Sequence, residues 1–188
     1  MFEQSKRFFE EFRAIFEEGN PKRLEAVEKY TNNTAFTDFI VDEINGIIKA
    51  MQAEPQNEYF RIDASGYRSR WEELETIKGF RPHLWDLTVA VEHENDPKDW
   101  LDEVIKLAHV CCPLRVVIGY VPMNKRDEEQ RLLDYAADAL YRLHCRDNVV
   151  RGEFMVILGN SSTGRNKKNY FHYRAYVLDA ADGRFVPL

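Results

Sequence analysis

An α/β fold is predicted for this sequence, with a central mixed β-sheet and helices on both of its faces. Three observations predict it. Stretches of helical apolar spacing alternate with short β-type runs along the chain. One of those runs, LRVVIGYV at residues 114–121, is apolar almost throughout, the pattern of a central strand covered on both sides. Finally, a chain of 188 residues, 44% of them hydrophobic, is long enough for one core and one domain.

The elements follow in order. Residues 5–18 carry Phe8, Phe9, Phe12, Ile15 and Phe16 at helical spacing, and Gly19-Asn20-Pro21 stops them. Residues 21–30 read as a second short helix. Thr31-Asn32-Asn33-Thr34 offers a break with a ready N-cap. A third helix is predicted over 35–51, with Phe36, Ile40, Ile44, Ile47 and Met51 as its stripe. Glu54-Pro55-Gln56-Asn57 reads as a loop, and 58–67 as a strand that turns at Ser65-Gly66. The connection over 68–82 is polar, with helical character around 72–75. WDLTVAVEHEN at 85–95 opens as a strand in which Leu87, Val89 and Val91 alternate with Thr88 and Ala90. Asn95-Asp96-Pro97 supplies an N-cap and an early proline for a helix over 98–110. After the 114–121 strand comes a long helix over 126–145. Strands over 152–158 and 170–178 and a short one over 184–187 close the chain.

The whole therefore reads as one domain over 1–188. Its parts are an N-terminal helical extension (1–34), a core (35–145), and C-terminal strands forming a β-hairpin (146–188). The apolar runs are too short to span a membrane, and the charged amphipathic start lacks the features of a signal peptide. Three cysteines, two of them adjacent, make no disulfide framework. A reduced, cytoplasmic protein is expected. The five phenylalanines among the first sixteen residues are expected to pack on the body of the protein or on a second copy, giving a homo-oligomer. The net charge of −6 argues against a general nucleic-acid coat protein, but it leaves room for a nucleic-acid enzyme with an acidic metal site.

The chemistry is carried by carboxylates that interrupt apolar patterns. Asp63 lies between Ile62 and Ala64 in a strand. Glu92 and Glu94 end the 85–95 strand, and period-two alternation points both the same way. Glu43 falls within the inward stripe of the third helix, and an unpaired buried carboxylate is costly. A hard divalent cation, Mg²⁺ or Mn²⁺, would neutralise such a group, since it takes oxygen ligands and keeps several waters. A cation held this way can activate water and stabilise charge developing on a phosphate. The competing reading pairs Glu92 and Glu94 with arginines, with Arg61, Arg68, Arg70 and Arg81 near in sequence. The His109, Cys111, Cys112 and His144-Cys145 cluster matches no zinc spacing and reads as small buried apolar groups. His93 faces away from the glutamates and reads as a satisfied core histidine. GRNKKNYFHYR at 164–174 interleaves Arg165, Lys167, Lys168 and Arg174 with aromatics. It would either grip a phosphate backbone or form a solvated hairpin tip.

The order of these features over residues 35–145 resembles the PD-(D/E)xK nuclease superfamily, the restriction-endonuclease-like fold. That order is a helix with Glu43, a strand with Asp63, a strand ending in Glu92-His93-Glu94, a helix, and the 114–121 strand. The pattern departs from the family's in two places: Ile62 precedes Asp63, and Glu94 occupies the usual lysine position. The resemblance implies a Mg²⁺-dependent endonuclease of restriction or repair type, acting on DNA more than RNA. It makes Asp63 and Glu92 the metal ligands, Glu94 the residue that orients or deprotonates water, and Glu43 an outer acid. In another variant of the family the lysine moves to the following helix, where Lys106 is the candidate, ranked below Glu94. The alternative is an inactive member of the same fold acting as a binding or assembly module.

Overall fold

The computed structural model describes residues 2–68, 86–97, 99–122, 126–143, 151–161 and 171–188. Among these, seven strands form one mixed sheet in chain order. They are β1 (Glu54–Tyr59), β2 (Ile62–Tyr67), β3 (Leu87–His93), β4 (Leu114–Pro122), β5 (Glu153–Ser161), β6 (Arg174–Asp179) and β7 (Arg184–Pro187). The central three are parallel, and an antiparallel pair flanks them on each side. The helices are α1 (Glu3–Ile15), α2 (Pro21–Lys29), α3 (Asn33–Ala50), α4 (Trp100–Ala108) and α5 (Arg126–Arg142).

Both faces of the sheet are covered, which is why β4 is apolar along nearly its whole length. Val89, Val91, Val116, Ile118, Met155 and Ile157 pack against α1 and α3 through Phe8, Phe12, Phe36, Ile40 and Ile44. Ala90, Val117, Val156 and Leu158 pack against α4 and α5 through Trp100, Val104, Leu107, Leu133 and Leu140. The phenylalanine stripe of α1 therefore lies in this chain's own core: Phe12 and Phe16 pack their rings on Tyr173. The caps also follow the sequence. The side chain of Asn20 accepts from the Lys22 N–H at the start of α2, and that of Asn32 from the Ala35 N–H at the start of α3.

The largest departure from expectation is at 54–67. The predicted loop at 54–57 is the edge strand β1, and the turn falls at Phe60-Arg61 rather than Ser65-Gly66. Two physical facts hid this. Pro55 is tolerated only because β1 is an edge. Gly66 serves close packing instead of a turn: a Cβ there would lie 2.7 Å from Ile48 Cγ2 and 2.8 Å from Val89 Cγ1. The strand expected from residue 170 begins at Arg174, while Phe171 and Tyr173 join the core. Among the described residues no helix is long and apolar enough to cross a membrane. The connection over 69–85 and residues 144–150 lie outside the described residues.

Candidate active site

Strand β3 sets the site by alternation. His93 turns to the α3 face, its ring edge-on to Phe36 at 5.8 Å and its Nε2 2.9 Å from the Tyr120 hydroxyl. Burial pushes this imidazole down to about 3, so it is neutral. It is a core histidine, as its position between the glutamates predicts. Glu92 turns to the opposite face, beside Ala90 and toward α4, and is 1% exposed.

Two neighbouring elements complete the cluster. From α4, Lys106 places its Nζ 2.8 Å from Glu92 Oε1 and 2.9 Å from Glu103 Oε2. Glu103 and Lys106 are three residues apart, so they share one flank of the helix. The long lysine stem carries its charge from that flank to the strand. From β2, Asp63 Oδ2 accepts the backbone N–H of His93 at 2.8 Å. Ala64 pairs with Val91, so one further step of the register sets Asp63 across from Glu92.

The electrostatics follow from burial and crowding. Burial raises the Asp63 carboxyl above its ordinary range; the His93 N–H and Lys106 oppose this, and Glu103 and Glu58 add to it. Burial likewise raises Glu92, to about 8, against the hydrogen bond from Lys106 and with further push from Asp63 and Glu103. For Lys106 burial works downward, but Glu92 and Glu103 more than offset it and leave the ammonium raised. Three carboxylates thus share one ammonium in a half-buried corner. That corner carries a surplus of negative charge, which a bound proton or a cation would relieve.

The register sets Asp63 across from Glu92, a juxtaposition the sequence alone does not fix. Glu94 is not part of the cluster: it lies past the end of β3, and its carboxylate accepts the Asp96 N–H at 2.7 Å to close a turn. The alternation that aligned it with Glu92 stops where the strand stops. Glu43 lies on α3, across the sheet from Glu92, where it pairs with Lys22. Its inward position in the helical stripe is satisfied by that lysine. Arg174 is held by Glu129, at 2.9 and 2.6 Å, and by Asn160 Oδ1 at 3.0 Å, so its guanidinium serves the fold. Arg165, Lys167 and Lys168 lie outside the described residues. Glu103 was not singled out in the sequence, although its spacing to Lys106 was there to read.

Among the described residues no group of three His, Cys, Asp or Glu side chains is set out to hold a metal ion. Asp63 and Glu92 nevertheless offer two hard oxygen donors, the set that Mg²⁺ or Mn²⁺ takes when water completes its shell. Glu92 Oε1 is buried and, apart from facing Lys106, has no hydrogen-bond partner among the described residues. The donors and their surplus charge fit a divalent cation. Cys112, by contrast, is buried and donates its Sγ–H to the Leu114 carbonyl, in keeping with a small packing group, whereas Cys111 and His109, expected to be buried with it, are exposed. Comparison with protein-family models, with curated proteins and with solved structures gave no significant match.

Proposed function

We propose that the chain hydrolyses phosphodiester bonds in nucleic acid, DNA in preference to RNA, as a metal-dependent nuclease of the PD-(D/E)xK kind. The observation that carries this reading is the meeting of Asp63, Glu92 and Lys106 from three separate elements. Their order (helix α3, antiparallel strands β1 to β3, helix α4, parallel strand β4) supports a restriction-endonuclease-like core. Asp63 and Glu92 would hold Mg²⁺ or Mn²⁺. When bound, the cation supplies charge stabilisation at the phosphate and acidifies a water. Lys106 takes the place of the motif lysine: its ammonium, anchored by Glu92 and Glu103, orients the attacking water and neutralises the developing charge. The parallel strands β3 to β5 all point their carboxyl ends the same way, toward the end of β3 that carries Glu92.

The test is cleavage of duplex and single-stranded DNA with Mg²⁺ and with Mn²⁺. Asp63→Asn, Glu92→Gln and Lys106→Met each abolish it, while Glu43→Gln and Glu94→Gln cleave as wild type does. Metal-independent cleavage, or full activity in Glu92→Gln, defeats the reading.

A second reading, a non-enzymatic binding or assembly module, has one observation behind it: Lys106 already pairs with Glu92. It predicts no saturable Mn²⁺ binding by calorimetry, either alone or with DNA added.

A further inference from the structure

The hairpin joining β1 to β2 is built against local preference, and it is built next to the site. Tyr59 pairs with Ile62, leaving Phe60 and Arg61 as a two-residue loop. Both are left-handed, with φ of 52° and 62°. A two-residue turn of this hand favours Asn followed by Gly, because side chains with a Cβ pay for positive φ. A third left-handed residue, Glu58 (φ 55°), lies between the paired residues Asn57 and Tyr59. Its place in the register is across from Asp63, whose carboxyl it pushes upward.

The residues that occupy these strained positions are also unusual for a turn tip. Phe60 is 62% exposed, one of the most exposed large hydrophobic residues described. Tyr59 meets it edge-on at 4.6 Å and props the ring. Arg61 is exposed beside it. Asp63 follows two residues later in the chain. The β2–β3 register places Ala64 beside Val91, so the hairpin tip extends past the β3 end that carries Glu92. Strain of this kind persists where the surrounding structure and a function both require it.

We propose that Phe60 and Arg61 form a stacking platform for an unpaired base flanking the scissile phosphate. The preferred substrate is then a branched or frayed duplex rather than a continuous one. This rests on the nuclease reading above and deepens it. The tip carries one cation beside the acidic Glu58, so neutralising a run of phosphates is not its task. An exposed ring with an adjacent guanidinium is suited to the face of an unstacked base, which every base presents. A base in a continuous duplex is stacked on its neighbours and cannot offer that face.

The experiment compares wild type with Phe60→Asn/Arg61→Gly and with Phe60→Trp. The probes are a fluorescein-labelled duplex with a single-stranded branch and a continuous duplex of the same sequence. Binding is read by anisotropy without added metal, so that no cleavage intervenes, and Tm is read alongside. Wild type binds the branched probe more tightly. The Asn-Gly variant melts about 4 °C higher, binds the branched probe about tenfold more weakly and loses the preference. Phe60→Trp keeps it. If the Asn-Gly variant gains stability and still binds as wild type does, the platform is wrong and the nuclease reading stands. A variant that loses stability also overturns the platform, because the turn was then not strained. A wild type that binds neither probe and cleaves nothing with Mg²⁺ overturns both.

Discussion

Nζ of Lys106, on α4, lies 2.8 Å from Oε1 of Glu92, on β3. It also holds Glu103, so a single ammonium serves two carboxylates directly and a third, Asp63, through space. In the metal-free protein this lysine is the principal counter-charge of the corner. Removing it leaves buried carboxylate charge uncompensated, a change that costs on the order of 3 kcal/mol when a pair is fully buried and less here, where Lys106 is about a third exposed. Lys106→Met therefore lowers the Tm of the metal-free protein. On the proposed reading, in which the corner holds Mg²⁺, it also enlarges the rise in Tm on adding Mg²⁺, because the cation then meets more unneutralised charge. Thermal melts of both proteins across a Mg²⁺ series check this; equal metal-induced shifts would show that the lysine and the cation do not share a site.

The raised Glu92 carboxyl gives stability a definite pH dependence. Its ordinary value is 4.5 and its folded value about 8. In that window the folded chain binds a proton that the unfolded chain has released, so stability falls as pH rises. Asp63, raised by burial, acts in the same direction. Lys106 is raised too, and its contribution is lost only as pH climbs beyond the ordinary lysine range, outside this window. Glu92→Gln removes the titrating group and keeps its shape. Its stability curve is flatter between pH 5 and pH 8 than that of wild type, with a difference of about 1–3 kcal/mol across the window. Urea denaturation at several pH values measures it. An equally steep fall in the variant would mean that Glu92 stays ionised against Lys106 throughout, since a group ionised in both folded and unfolded chains adds no slope.

Most of this architecture was legible in the sequence, and the site was partly so. The near-continuous apolar run over 114–121 marked a central strand because both of its faces are buried, and the alternation over 85–95 marked its neighbour; that the two run parallel was not in the sequence. Asp63 and Glu92 were found because charge inside an apolar strand has to be answered. Glu94 and Glu43 obey the same periodicities, but the answers lie in three-dimensional neighbours: a turn N–H for one and Lys22 for the other. Lys106 was ranked low because it leaves the Trp100–Val104–Leu107 stripe. A stripe describes where a helix is apolar, while a lysine stem reaches several ångströms beyond it. The Phe60-Arg61 turn was missed because neither residue carries a turn preference, and that mismatch is itself informative.

Gly119 fixes the position from which α4 presents Lys106. A Cβ on that residue would lie 2.7 Å from both Cβ and Cγ of Trp100, the fully buried first residue of the helix. The indole is rigid and packed in the core beside Val104 and Leu107, so it cannot yield without moving the helix. Gly119→Ala is expected to destabilise the protein by about 1–3 kcal/mol, the usual cost of overpacking. If α4 shifts by even a fraction of an ångström, Lys106 loses its alignment with Glu92, and on the proposed nuclease reading cleavage falls further than the loss of folded protein explains. Activity per folded molecule, with the folded fraction measured by circular dichroism, separates the two effects.

Arg174 offers the last test, because the sequence suggested a nucleic-acid contact and the structure gives it other work. Its Nε and one terminal nitrogen bind the two oxygens of Glu129, which is 5% exposed on α5. Its other terminal nitrogen reaches Asn160 Oδ1 and the His172 carbonyl. Tyr176 donates its hydroxyl to the same glutamate. The clamp thus ties α5 to β5 and β6 through a planar, two-pronged fit that a lysine cannot reproduce. Arg174→Gln strands the Glu129 charge at a cost of about 3 kcal/mol or more, which lowers Tm by roughly 6–12 °C in a chain of this size. Arg174→Lys recovers little of that loss, and the double variant Arg174→Met/Glu129→Leu recovers most of it, since removing both charges leaves neither unanswered. On the proposed nuclease reading, Arg174→Gln below its melting range binds DNA as wild type does. Weaker binding with Tm unchanged would instead return the arginine to the nucleic-acid interface.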